Sequence, residues 1–217
     1  MPSLSLPIDP ALFAGFVLAA SAVVVSPGPD TIVILRHALN SGTHVGLASV
    51  SGVQVGLAAH TALAALGLSL LIASAPLLFK GLALAGALYL GWLGIQALRA
   101  PILRLDGNRD APQRRPAAAF AQGFFSNLLN PKVILLYLAL LPSFVAPQLG
   151  QTGLQLAILG LTIIAINIVW QCFLVAAAGR ARRWLQSEPV QRAVSWSTGA
   201  ILIAFALGMA WSHVVGG

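Results

Sequence analysis

One acid and one amine stand deep inside otherwise apolar stretches of this chain, each next to a proline. Asp30 closes Pro27-Gly28-Pro29-Asp30, which interrupts an apolar run from Ala11 to Leu35. Lys132 closes Asn130-Pro131-Lys132, which interrupts a second run from Ala117 to Val145. Proline inside a helix removes a backbone donor, and in lipid the freed groups are tolerated only against protein or a wet cavity. A carboxylate at bilayer depth costs roughly 3 kcal/mol on insertion scales, so it faces a partner or a pathway. Amides exposed at the start of a half-helix attract anions, and carbonyls freed at the end of one attract cations. Two such breaks meeting near the midplane make an amphoteric site. There Asp30 and Lys132 neutralise one another directly or through a substrate, with Lys132 and the amides after Pro29 holding a carboxylate and Asp30 an ammonium.

Polar amides are the next group able to take part. Gln54 and His60 share the second apolar run; Asn127 and Asn130 are three apart and Asn167 and Gln171 four apart, so each pair is expected on one helical face. Such groups line a pathway or tie helices together. A lone intramembrane histidine is more simply a hydrogen-bonded core residue than a proton relay. Gly42 with Gly46, and Gly52 with Gly56, are two four-residue spacings of the kind that lets helices pack closely. Trp170 lies between Asn167 and Gln171, whereas the other tryptophans fall near span ends, where interfacial anchoring explains them.

The elements that position these residues follow from composition. Hydrophobic residues make up 58% of the 217, charged residues 8%, and the mean hydropathy is +0.89, which describes a polytopic all-α membrane protein. Apolar runs long enough to cross a bilayer, about 20 residues each, occupy Ala11–Leu35, Val45–Ser74, Leu77–Leu98, Ala117–Val145, Leu154–Gly179 and Ala193–Val215. Six spans are therefore expected, in a single transmembrane domain over 1–217. The net charge of +7 reflects basic residues between the spans and not a nucleic-acid surface. The single cysteine, Cys172, permits neither an internal disulfide nor a cysteine metal site; no cofactor or metal is expected. Met1 to Pro10 carries no Lys or Arg ahead of the first apolar run, so that run is expected to be retained and not cleaved as a signal peptide.

Lys and Arg orient the spans. Arg36, five arginines between Arg99 and Pro116, and four between Arg180 and Arg192 all fall on one side; Lys80 falls on the other. Ten against one places the basic loops in the cytoplasm and both termini outside. Three spans per half is an odd number, so if the halves are repeats they are inverted: about 11–98 and 117–215, joined by the basic linker 99–116. Phe13 and Gly15 precede the first break as Phe120 and Gly123 precede the second, and Gly86-Ala87 after Lys80 parallels Gly199-Ala200 after Arg192.

These residues resemble the LysE/RhtB family of amino-acid exporters. The resemblance rests on Pro27-Gly28-Pro29 followed by Gly42, Gly46, Gly52 and Gly56. Its second part is Phe120, Gly123, Asn127 and Asn130-Pro131-Lys132, followed by Leu141-Pro142-Ser143-Phe144; Lys80, Gly86-Ala87, Tyr89-Leu90 and Gly94 match between them. It covers nearly the whole chain, with Ser143 standing where the family more often has Gln. It implies a bacterial inner-membrane exporter of amino acids or close derivatives, driven by the proton gradient. Read without it, the residues reach only a transporter with an amphoteric midplane site; with it, the expected partners are an amino-acid substrate, protons and the lipid bilayer, and a homo-oligomer is left open.

Two other classes fit less well. An intramembrane enzyme needs a nucleophile with its base or a ligand set, but His37, His44, His60 and His213 lack ligand spacing and Ser26 has no evident base. A non-transporting subunit or scaffold needs only continuous helices. The orientation is checked by labelling: a Cys at Asn108 in the basic linker should resist an impermeant thiol reagent added to intact cells and react once the cells are opened. Labelling from outside would invert the topology.

Overall fold

The computed structural model describes residues 7–26, 28–68, 114–178 and 187–214, together with 81, 84, 87, 88, 91, 92, 94–96, 98 and 99. Pro27, Lys80, most of the expected third span and most of both basic linkers lie outside the described residues.

Asp9 starts the first helix, its Oδ1 accepting from the backbone N–H of Ala11 at 2.8 Å and of Leu12 at 3.0 Å, an N-cap ahead of a proline. Helix α1 (Pro10–Val25) and helix α2 (Pro29–Ser41) form one pair bent by 54°. Helix α3 (Thr43–Leu63) continues into a π-helical turn at Ala64–Leu68. Helix α4 (Pro116–Leu128) and helix α5 (Pro131–Ser143) form a second pair, bent by 47°, with another π-helical turn at Leu136–Leu140 inside α5. Helix α6 (Thr152–Ala177) and helix α7 (Glu188–Val214) complete the described elements.

The all-helical architecture and both bent pairs match the expectation. Helices α3, α6 and α7 are long and apolar enough to cross a membrane, and counting each bent pair as one broken span brings the described residues to five of the six expected spans. The helices outrun the apolar runs that announce them. Helix α2 continues past Leu35 to Ser41, because Arg36 and His37 end the hydropathy and not the hydrogen bonding; the buried His37 pairs through Nε2 with Gln122 Oε1 at 3.0 Å. Helix α7 likewise begins at Glu188, five residues before Ala193, over an i,i+4 ion pair between Glu188 and Arg192.

Small residues set the closest approach. Helices α3 and α4 run parallel, with Ser49, Gly52 and Gly56 on one meeting Gly123, Phe120 and Asn127 on the other. A Cβ at Gly52 would lie 2.0 Å from the Phe120 carbonyl oxygen, and one at Gly123 would lie 2.2 Å from that of Ser49. This is backbone-on-backbone packing, which lipid favours because no water-driven force presses helices together. The Gly42–Gly46 spacing is different and corrects the expectation of a shared packing face. Gly42 has φ +89° and nothing within 4 Å of a built Cβ, so it serves the α2–α3 turn; Gly46 alone packs, against Ala38 and Val175.

Helix α6 lies against α1 and α3, burying Leu156, Leu159 and Ile163 with Phe16 and Leu57. Gln155 secures the turn before it. Its Oε1 accepts from Ala146 N at 2.8 Å and its Nε2 donates to the carbonyls of Ala146 and Gly150.

Gly52→Ala should therefore force α3 and α4 apart and lower stability by about 1–3 kcal/mol, the range for overpacking. Gly67→Ala, where a Cβ meets nothing within 4 Å, is the matched control. Thermal unfolding in detergent compares them, and an equal shift for both would mean that the α3–α4 contact does not limit packing.

Candidate functional site

Both helix breaks open onto one cavity of about 40 Å³. Gly28, Asp30, Asn130, Lys132, Asn167 and Gln171, all expected from the sequence, line it, and Ser26 and Thr31 add to its polar wall. Val23, Val24, Leu57, Val133 and Leu136 form the apolar wall. At roughly 10–15 Å³ per water, this space holds a few waters and no amino acid.

The first break supplies a helix end for each charge. Pro29 and Asp30 occupy the first turn of α2, where unsatisfied N–H groups favour a negative charge. Asp30 is buried. Its Oδ1 accepts from Ser126 Oγ and its Oδ2 from Asn127 Nδ2, both at 2.8 Å. Ser26 is the C-cap of α1, and its carbonyl, next to the break, accepts from Lys132 Nζ at 2.6 Å. A Cβ at Gly28 would stand 3.7 Å from that ammonium, in ordinary contact, so a larger side chain would crowd Lys132.

The two charges thus face one cavity without bonding to each other. Among the described residues the ion pair is Arg192 with Glu188; Asp30 and Lys132 make no contact ion pair, and α1 and α2 offer each charge a helix end. The second break is ordered by its own residues. Pro131 opens α5, and Asn130 Oδ1 accepts from Lys132 N at 3.0 Å as the N-cap. Asn127 and Asn130 consequently do not share a helical face. Asn127 ends on α4 and turns to Asp30, whereas Asn130 sits in the extended backbone that a following proline imposes.

Gln54 stands behind the cavity on α3 and joins it to α6, Nε2 donating to Gln171 Oε1 at 2.9 Å and to Asn167 Oδ1 at 3.4 Å. Asn167 and Gln171 therefore line the cavity and tie two helices at once. Buried acceptors remain without a hydrogen bond at Asn127 Oδ1 and Gln54 Oε1. His60 stacks on Tyr137 with ring centroids 5.5 Å apart, its Nε2 without a partner, and neither ring lines the cavity. Tyr137 Oη meets Thr61 Oγ1 at 2.9 Å and donates to the Leu57 carbonyl at 3.3 Å. Trp170 stacks on Phe173 and packs beside Leu35 and Leu174, outside the cavity. No cluster of three His, Cys, Asp or Glu among the described residues is placed to hold a metal.

Thr31 and Ser126 escaped the sequence reading, and Ser26 entered it only as a nucleophile without a base. Ser126, next to Asn127 in mid-run, carries a weak signal as a hydroxyl in apolar surroundings. Ser26 carries none, since its backbone oxygen does the work.

Apolar helices crossing the bilayer, two of them broken around a buried polar cavity, make this a membrane transporter. The chain belongs to the LysE type translocator family, whose profile matches residues 21–213. A homoserine/homoserine lactone efflux protein of Salmonella typhimurium is 33% identical over 188 residues, covering 87% of this chain and 90% of its own length. A leucine efflux protein of Klebsiella pneumoniae is 29% identical over 196 residues, covering 90% and 92%. An uncharacterized membrane protein of Bacillus subtilis, YrhP, is 32% identical over 200 residues, covering 88% and 95%. No solved structure matches the chain.

Pro131 tests whether the second break is held by the missing donor. In Pro131→Ala the restored N–H can pair with the Asn127 carbonyl four residues back and straighten the 47° bend. Spin labels at Ala117 and Leu149, in a Cys172→Ala background, should move apart and sharpen in distance distribution. An unchanged distribution would place the cause of the bend elsewhere.

Proposed function

We propose that the protein exports neutral amino acids or close derivatives from the cytoplasm, in exchange for protons that titrate Asp30. One observation carries this reading: a single acid and a single amine face one cavity at the crossing of two broken helices, each bonded to protein and not to the other. A zwitterion presents the complementary pair. Lys132 and the amides at the start of α2 suit its carboxylate, and Asp30 suits its ammonium. With no second carboxylate among the described lining residues, a cationic substrate side chain has no counterpart there, whereas Val23, Val24, Leu57, Val133 and Leu136 offer an apolar or short uncharged one a wall. The names of the relatives, homoserine and leucine efflux proteins, agree with a neutral substrate moved outward.

Ligand pockets span roughly 300–1,000 Å³, far above the 40 Å³ of this cavity, so the cycle requires the site to widen to admit substrate. The two bent pairs, taken as the broken helices of inverted repeats, supply the rocking elements. With the basic loops in the cytoplasm of a bacterial inner membrane, inward opening would let deprotonated Asp30 take up the substrate's ammonium. Outward opening would protonate Asp30, remove that charge and release the substrate.

Asp30→Asn keeps the shape and removes the titration. The Ser126 hydroxyl can turn to accept from the new amide, so the site can stay bonded. In vesicles loaded with leucine or homoserine, the variant should lose at least tenfold in export driven by an imposed pH difference, and whatever weakened exchange of labelled for unlabelled substrate remains should no longer respond to pH. Parental export with the parental dependence on the pH difference would exclude Asp30 as the coupling group. Absence of any transport by the parent for a panel of neutral amino acids would overturn the substrate class.

A further inference from the structure

A second concavity has no part in the transport site. It is an open groove of about 790 Å³ between the first turns of α3 and α4, lined by Thr43, His44, Leu47, Ala48, Ser51, Pro116, Ala117 and Phe120. From Thr43 to Ser51 it follows α3 for about 12 Å at 1.5 Å per residue. Its deep end lies where Gly52 meets the Phe120 carbonyl and the two helices close on each other. Leu47 and Phe120 expose their side chains along it.

Charge distinguishes this groove from ordinary lipid-facing surface. Arg114 and Arg115, both exposed, immediately precede Pro116 at its mouth, and exposed His44 faces it from α3. Arg114 is fixed there, its backbone N–H donating to Ser41 Oγ at 3.1 Å across the α2–α3 turn. The carboxylates among the described residues are Asp9, Asp30 and Glu188; none lines the groove. A mostly apolar groove beginning at a basic mouth matches a molecule with a phosphodiester anion at one end and a chain at the other. Basic pockets between spans at the cytoplasmic face bind such head groups, and arginine pairs bidentately with phosphate oxygens. A second copy docked symmetrically on this face would set its own Arg114 and Arg115 against these, which disfavours it.

We infer that the groove between α3 and α4 is a binding site for one anionic phospholipid, its phosphate at Arg114 and Arg115 and an acyl chain along Leu47, Ala48, Ala117 and Phe120. Because α3 and α4 carry Gln54, Asn127 and Ser126, a lipid seated between their first turns braces the helices that hold Asp30.

Native mass spectrometry of the full-length protein, released from detergent with graded phosphatidylglycerol or phosphatidylcholine of identical chains, provides the test. The parent should retain one phosphatidylglycerol at least fivefold better than phosphatidylcholine. Arg114→Gln with Arg115→Gln should abolish that preference, and Ala117→Trp, which fills the groove from an exposed position, should reduce retention of both lipids. Equal retention of the two lipids by the parent overturns the site, as does a preference that survives in both variants. Displacement of the lipid by inorganic phosphate alone would assign the mouth to a free anion, and a dimer lost in Ala117→Trp would assign the groove to a second copy; either result refutes the lipid.

Discussion

The structure depends on how a broken helix satisfies its own ends inside lipid. Each break leaves amides without acceptors on one side and carbonyls without donors on the other, and water is absent over most of the bilayer depth. Between α1 and α2 the two ends receive opposite charges: Lys132 donates to the carbonyl of Ser26, and Asp30 occupies the first turn of α2. The break thus stabilises two ions that would each be costly alone, and the ions in turn hold the break open. Asp30 and Lys132 face the same small cavity, each hydrogen-bonded to other groups and without a contact ion pair between them.

That arrangement requires α4 to stand close to α2, and glycine makes this possible. Ser126 and Asn127 reach the Asp30 carboxylate from the last turn of α4. Gly52 and Gly123 bring α4 into backbone contact with α3, and Gly56 faces the Asn127 side chain directly, where a Cβ would come within 2.7 Å of its Oδ1. Close packing and polar chemistry are therefore one device. A methyl group at Gly56 would push on the same amide that holds Asp30, so a packing defect on α3 would be felt at the carboxylate.

Much of this was legible in the sequence because lipid makes polar residues conspicuous. Within spans of about 20 apolar residues, an acid, an amine and a handful of amides are few enough to enumerate, and five of those singled out do line the cavity. Prolines marked both bends for the same reason, as absent donors where no water substitutes. What could not be read is what side-chain type does not encode. The acceptor for Lys132 is a backbone oxygen, so the identity of Ser26 gave no hint. Four-residue glycine spacing looks alike whether a glycine packs, as Gly46 and Gly52 do, or turns the chain with a positive φ, as Gly42 does. Asn127 and Asn130 are three apart in sequence, yet the proline between helix halves puts them on different elements. Hydropathy likewise stopped at Arg36 while α2 ran on to Ser41, since helix hydrogen bonds do not require an apolar side chain.

The pattern of bonds bears directly on how a substrate would enter. Had Asp30 and Lys132 been joined, a zwitterion would have to break a buried ion pair and expose both charges before replacing it, and separating such a pair costs several kcal/mol. Here each charge is held by groups that tolerate exchange: the Ser26 carbonyl can return to water once the cavity opens, and Ser126 and Asn127 carry neutral donors. Under the proposed cycle, a substrate carboxylate would take the place of the Ser26 oxygen on Lys132, and its ammonium would take a share of Asp30. Hydrogen bonds are then exchanged nearly one for one, so binding is neither too weak to occur nor too tight to reverse. Protonation of Asp30 cancels one of the two charges that the substrate uses while leaving Lys132 bonded to the backbone, and release follows from the loss of half the complement without dismantling the break.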